Sequence, residues 1–136
     1  MDRLFLDANV LFSAAYRADA GVSRLWHLDG CVLLASDYAI EEARRNLSRS
    51  DQLERLEELL RSIQRVPAVS LAPEMRGSVE LREKDWPILG GAIAAGATHL
   101  ITGDRRDFGP YFGTEIFGVM ILAPGDYLAQ GEGRCT

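Results

Sequence analysis

The sequence predicts an α/β domain in which helices cover both faces of a central parallel sheet. Five short apolar runs resemble buried strands, and segments with apolar residues three and four positions apart separate them. The length of 136 residues suits one domain, and 47% hydrophobic with 26% charged residues is typical of a globular chain. The predicted strands are residues 3–6, 31–35, 66–71, 99–102 and 119–122.

The first half of the chain carries four helical patterns. Asn9 can cap a mostly buried helix over residues 10–15, and residues 22–28 repeat the pattern more briefly before Gly30. The next two predicted helices have clear apolar stripes, and Pro67 ends the second of them. These two helices begin at Ser36 or Asp37 and at Ser50 or Asp51.

The second half carries the most apolar predicted helix. Asp85 can cap it, and Pro87 fits its first turn because a missing N–H costs little there. Residues 88–95 are apolar on nearly every side, so we expect a central helix whose small residues allow close packing against the sheet. Pro124 begins a short last helix. We expect one domain over residues 1–130 and a flexible tail over residues 131–136.

Composition and motifs exclude several classes of protein. The net charge of −5 disfavours nucleic acid as a partner unless some acids bind metal, since two divalent cations would offset four of these charges. The chain has no P-loop, no G-x-G-x-x-G after the first strand, no G-x-S-x-G and no C-x-x-C pair. No apolar run approaches the roughly 18 residues that span a bilayer, and only three apolar residues lie between Arg3 and Asp7, so we expect a cytoplasmic protein without a signal peptide.

Acidic residues gather where the predicted strands end. Asp7 and Asp104 follow two strands, Asp85 opens the helix before the second of these, and Glu41 and Glu42 lie in the helix after strand two. Ligands bind at this edge of an open parallel sheet. Taken singly, each acid could be only a cap, a turn residue or a solvated helix-start residue. Together, clustered carboxylates repel unless a divalent cation binds, and an all-oxygen site suits Mg²⁺ or Mn²⁺.

Four segments carry a resemblance to a known family. They are LDANVL at 6–11, EARRNL at 42–47, DWPIL at 85–89 and LITGDRRDF at 100–108. In this order they resemble the PIN-domain ribonucleases, from residue 4 to about residue 128, and in particular the small VapC-type toxins of toxin–antitoxin pairs. The resemblance implies the sheet order 3-2-1-4-5, dependence on Mg²⁺ or Mn²⁺, an RNA substrate, an antitoxin partner and a homodimer.

The resemblance also implies roles for individual residues. The acids that match the catalytic set are Asp7, Glu42, Asp85 and Asp104. Those expected to bind metal are Asp7, Asp85, Asp104 and Asp107. Asn9 and Thr102 match polar residues that support the metal site. Arg105 and Arg106 lie beside the site in the sequence, where they could bind the phosphate backbone of the substrate or be solvated loop residues. Helical geometry alone slightly favours Glu41 over Glu42, but the spacing to Leu47 fits the family only for Glu42, so Glu41 is the fallback.

Three functions compete on these residues. The leading hypothesis is a metal-dependent endonuclease for single-stranded RNA, which the family resemblance extends to the toxin of a toxin–antitoxin pair. A second is a catalytically inactive module that keeps the fold and binds RNA or a protein. A third, a metal-dependent phosphatase, would favour a D-x-D pair after the first strand, where this chain has Asp7 and Asn9.

Overall fold

Six strands form one mixed sheet in the computed structural model, which describes residues 1–131. In chain order they are β1 (Arg3–Leu6), β2 (Val32–Ser36), β3 (Ile63–Val66), β4 (His99–Ile101), β5 (Glu115–Ile116) and β6 (Val119–Leu122). Their spatial order is β3-β2-β1-β4-β6-β5, and every neighbouring pair is parallel except β5 with β6. The α/β class and the order of the five predicted strands are therefore confirmed.

The strand that the sequence did not predict is β5. It has only two residues, and it pairs antiparallel with β6 across a tight turn in which Phe117 and Gly118 both have positive φ. A two-residue strand leaves no period-two pattern in the sequence. The order 3-2-1-4-5 thus gains one short strand at its far edge.

Five α-helices connect and cover the strands. They are α1 (Ala8–Tyr16), α2 (Asp37–Asn46), α3 (Ser50–Leu60), α4 (Trp86–Ala94) and α5 (Pro124–Gly131). The remaining helical segments are 3₁₀ helices at Gly21–His27, Pro73–Ser78, Glu83–Asp85 and Gly109–Tyr111. Within residues 1–131, no helix has both the length and the apolar character needed to cross a membrane.

Helix α4 packs closely on its surroundings, as its small residues predict. A Cβ added to Gly91 would lie 2.9 Å from the ring of Phe5 in β1. One added to Gly90 would lie 2.4 Å from the backbone of both Val69 and Leu71. The glycines therefore bring α4 into contact with the sheet on one side and with the segment after β3 on another.

Four local predictions are wrong. The cap of α1 is Asp7 rather than Asn9. The third strand is Ile63–Val66 rather than 66–71, and α3 ends at Leu60. Ile63 continues the apolar spacing of α3, but it lies buried in β3, and Pro67 ends that strand because it has no N–H to pair. In place of the helix predicted over residues 22–28 there is a 3₁₀ segment, Gly21–His27. The predicted tail lies outside the described residues except for Gly131, the last residue of α5.

Candidate metal centre

Four of the predicted acids line one cavity at the carboxyl edge of the sheet. Asp7 follows β1, Glu42 lies on α2, Asp85 directly precedes α4 and Asp104 follows β4. The cavity holds about 410 Å³. Its other lining residues are Ala8, Asn9, Phe12, Asn46, Lys84 and Ile88.

Asp7 is a buried carboxylate with hydrogen-bond donors on both oxygens. Its Oδ1 accepts from the backbone N–H of Ala8 at 2.7 Å, which caps α1, and its Oδ2 accepts from Thr102 Oγ1 at 2.8 Å. Burial raises the pKa of Asp7 to about 6, although these hydrogen bonds lower it, and the charges of Glu42 and Asp104 raise it further. The cavity therefore holds a carboxylate that is costly to ionise without a cation.

Asn9 and Thr102 connect Asp7 to the loop after β4. The Nδ2 of Asn9 donates to Asp7 Oδ2 at 3.2 Å, and its Oδ1 accepts from the backbone N–H of Gly103 at 2.7 Å. Thr102 is fully buried, and its Oγ1 accepts from the backbone N–H of Asp104 at 3.1 Å. Both side chains thus contact Asp7 and fix its position relative to Asp104, which follows β4.

Asp85, Asp104 and Asp107 form the tightest group of carboxylates. One oxygen from each lies within 4.8 Å of the others. The local turn is fixed by Asp104, whose Oδ1 accepts from the backbone N–H groups of Arg106 and Asp107, each at 3.0 Å. Of the four predicted metal ligands, these three are brought together directly. Asp7 lines the same cavity as Asp85 and Asp104, whereas Asp107 lines an adjoining groove.

Asp85 has the feature that best fits a bound metal. The residue is only 3% exposed, and within the described residues its Oδ2 has no hydrogen-bond partner. Burial, and secondly the nearby Asp107, raise the pKa of Asp85 to about 7, whereas contact with Asp85 and then Arg82 lowers the pKa of Asp107. A buried, unpartnered carboxylate oxygen beside two further carboxylates suits a hard divalent cation such as Mg²⁺ or Mn²⁺.

Two cations that sequence reasoning missed contact this group. The Nζ of Lys84 lies 3.6 Å from Asp85 Oδ1, 3.8 Å from Asp107 Oδ2 and 4.0 Å from Asp104 Oδ2. The Nε of Arg82 donates to Asp107 Oδ2 at 2.8 Å. One signal was present, because Lys84 is the only lysine of the chain and directly precedes Asp85.

The two adjacent glutamates of α2 point to different surroundings. Glu42 lines the acidic cavity, whereas Glu41 is exposed and pairs with Arg44 at 3.1 Å. Arg44 also pairs with Glu57 of α3 at 2.8 Å, which holds Glu41 at the junction of two helices. The structure therefore places Glu42 at the cavity, as the spacing to Leu47 favours, and places Glu41, which helical geometry alone slightly favours, outside it.

Arg105 and Arg106 lie beside the site in different grooves. Arg105 shares a groove with Gly103, Arg24 and the start of α5. Arg106 lines another groove together with Arg82 and Asp107. Both arginine side chains are exposed, so each groove presents guanidinium groups next to the loop that carries Asp104.

Solved structures share this fold at low sequence identity. A chain of the crystal structure of DNA-bound VapBC from Salmonella typhimurium matches with a TM-score of 0.66 and 18% identity over 91% of this chain and 99% of that one. VapBC2 from Rickettsia felis, bound to a DNA fragment from its promoter, matches with a TM-score of 0.64 and 15% identity over 89% and 98%. VapBC-1 from nontypeable Haemophilus influenzae matches with a TM-score of 0.57 and 13% identity over 90% and 98%.

Sequence comparison identifies the family. No curated protein sequence matches this chain. The family model described as the PIN domain does match, over residues 3–106, which is well over half of the chain and includes Asp7, Glu42, Asp85 and Asp104. With the sheet order and the acidic cavity already described, this match means that the chain belongs to the PIN-domain family.

Proposed function

We propose that the protein is a metal-dependent endonuclease that hydrolyses phosphodiester bonds of single-stranded RNA in the acidic cavity. The observation that carries the proposal is the buried Oδ2 of Asp85, which has no hydrogen-bond partner in the part of the chain that the structure describes and lies beside Asp104 and Asp107. A fold that served only as a scaffold would gain stability by replacing such a group. Its presence beside an open cavity favours a role that needs a cation and a negatively charged substrate.

The roles proposed for the acids follow from their surroundings. Asp85, Asp104 and Asp107 would hold Mg²⁺ or Mn²⁺, together with Asp7 on the cavity wall. The cation, when bound, supplies charge stabilisation at the phosphate and lowers the pKa of water. Glu42 faces the same cavity from α2 and adds a carboxylate that can accept a proton there.

The remaining predicted residues orient these acids and contact the substrate. Asn9 and Thr102 would hold the Asp7 carboxylate in one orientation through the hydrogen bonds given above. Arg105 and Arg106 would contact RNA phosphates on two sides of the cavity, since each lines its own groove. The positive charge in these grooves also reduces the repulsion between the net negative charge of the chain and an incoming phosphate backbone.

An antitoxin protein and a second copy of the chain are the proposed partners. The similar solved structures are named as VapBC complexes, and this supports a role as the toxin of such a pair. The homodimer rests on the family resemblance alone. Trp26 and Leu28, two apolar residues between α1 and β2, are half-buried, and Trp26 Nε1 donates to the backbone carbonyl of Leu59 at 3.0 Å.

The experiment incubates wild type, Asp104→Asn and Glu41→Gln proteins with a structured RNA, in Mn²⁺ or in EDTA. We expect cleavage by wild type and Glu41→Gln in Mn²⁺ only, and none by Asp104→Asn. Full activity of Asp104→Asn would contradict the proposed site. RNA binding without cleavage by the wild type would instead favour the catalytically inactive module.

A further inference from the structure

The side chain of Lys84 lies against the group of three carboxylates described above. Its ammonium is within 4.0 Å of oxygens from Asp85, Asp104 and Asp107. Tyr38 of α2 donates a 2.9 Å hydrogen bond to the backbone carbonyl of Lys84, so this part of the chain is held against α2. The ammonium therefore approaches the same three carboxylates that a metal ion would bind.

We propose that Lys84 acts as a resident cation of the carboxylate group, which competes with the divalent metal and so sets the affinity of the centre for it. The inference rests on the proposed metal dependence and extends it to a residue with no role in that proposal. In the metal-free protein Lys84 partly neutralises Asp85, Asp104 and Asp107. When metal binds, the ammonium must move away, because two cations cannot share the same oxygens without repulsion.

The exposed fractions of these side chains indicate that the Lys84 ammonium can leave the carboxylates. The side chain of Lys84 is 49% exposed, whereas those of Asp85 and Asp107 are 4% and 9% exposed. A lysine has a flexible four-carbon stem, so its ammonium can turn into solvent while the carboxylates stay in place. Asp107 then keeps its ion pair with Arg82.

Counting charges gives the same result. Lys84 and Arg82 carry two positive charges beside Asp85, Asp104 and Asp107, and Asp7 and Glu42 add carboxylates on the cavity wall. Removing the Lys84 ammonium leaves one more negative charge uncompensated next to the metal. Metal binding should therefore be weaker with Lys84 present than without it.

The test measures Mn²⁺ affinity by titration calorimetry, without RNA, for the wild type, Lys84→Met and Lys84→Arg. Methionine keeps an aliphatic stem and removes the charge, whereas arginine keeps the charge. The matched control is Arg65→Met, because Arg65 has a similar exposure of 51% and lies on β3, two strands from β1 and outside the cavity. We expect Lys84→Met to bind Mn²⁺ about tenfold more tightly, and the other two variants to stay within about twofold of wild type.

Thermal unfolding separates this role from a structural one. In EDTA, Lys84→Met should unfold at a lower temperature than wild type, and saturating Mn²⁺ should raise its unfolding temperature by more than it raises that of wild type. A merely structural lysine would lower both temperatures equally, and that result would overturn the proposal.

Three affinity results would also overturn the proposed role of Lys84, and they differ in whether the proposed metal centre survives. If wild type binds Mn²⁺ and Lys84→Met binds it no more tightly, or if Arg65→Met tightens binding as much, the role of Lys84 fails while the proposed metal centre survives. If neither wild type nor Lys84→Met binds Mn²⁺, the proposed metal centre fails together with the role of Lys84.

Discussion

Replacing Asp85 with asparagine should stabilise the metal-free protein at alkaline pH. The wild-type carboxylate is buried, and its Oδ2 has no hydrogen-bond partner within residues 1–131. An asparagine amide is neutral and can donate to the neighbouring Asp107, as the protonated acid would. The substitution therefore imitates the protonation state that the folded protein prefers.

The magnitude follows from the pKa of Asp85. A rise from 3.8 in the unfolded chain to about 7 in the folded one corresponds to a penalty of about 4 kcal/mol when the group is fully ionised. The attraction of Lys84 for the ionised carboxylate already lowers this pKa, so the penalty includes it. With some relaxation around the site, we expect a gain in unfolding free energy of about 2 kcal/mol at pH 8.

The sign of the pH dependence is fixed by where the proton is bound. Below about pH 4, Asp85 is protonated in both the folded and the unfolded chain and adds no pH-dependent penalty. Between about pH 4 and pH 7 the unfolded chain loses this proton while the folded chain keeps it, so the stability of the wild type falls as pH rises. Above pH 7 the whole penalty is present, and the advantage of Asp85→Asn is greatest.

Urea unfolding in EDTA at pH 5 and pH 8 measures this difference. The advantage of Asp85→Asn should be larger at pH 8, and saturating Mn²⁺ should reverse the order by stabilising wild type far more than the variant. A variant that is no more stable than wild type at pH 8 in EDTA would refute the reasoning that Asp85 is held at a cost in free energy.

Three further predictions concern the second helix, the packing of α4 and the state of association. Glu42→Gln should reduce RNA cleavage in saturating Mn²⁺ far more than Glu41→Gln, because only Glu42 lines the cavity; the reverse order in a cleavage assay would contradict this. Gly90→Ala should lower the unfolding free energy by about 2 kcal/mol or more, because its Cβ would meet backbone atoms at 2.4 Å. In the control Gly77→Ala the added Cβ meets nothing within 4 Å, so the unfolding free energy should change by less than about 0.5 kcal/mol. Equal stability of the two variants in urea would be inconsistent with this packing. The protein should be a homodimer at micromolar concentration, and sedimentation that finds only a 15.0 kDa species would exclude it.

The parallel sheet made part of the site predictable from sequence. Asp7 and Asp104 each end a short apolar run, and in a parallel sheet such ends meet at one edge. Asp85 could be located because it precedes an apolar helix with Pro87 in its first turn. The sequence pattern therefore predicted three of the four acids that line the cavity, and the choice of Glu42 over Glu41 came from the family resemblance.

The rest of the site depends on contacts that leave no sequence pattern. Residues 67–85 contain only short 3₁₀ segments, so nothing in their spacing indicates that Arg82 and Lys84 turn toward the acids. Ile63 fits the apolar stripe of α3 as well as a strand, and only the pairing with Leu33 of β2 decides between them. In these places tertiary packing, rather than local preference, determined the structure.

The hydrogen bond from Thr102 to Asp7 has a consequence for the order of events in folding. It joins residues 95 positions apart, and the same closure pairs β1 with β4. Contacts of such long range carry a large loop-closure entropy, and they form late unless other interactions have already brought the chain together. If the acidic cavity is completed only after the folding transition state, a bound divalent cation should slow unfolding and leave the folding rate nearly unchanged.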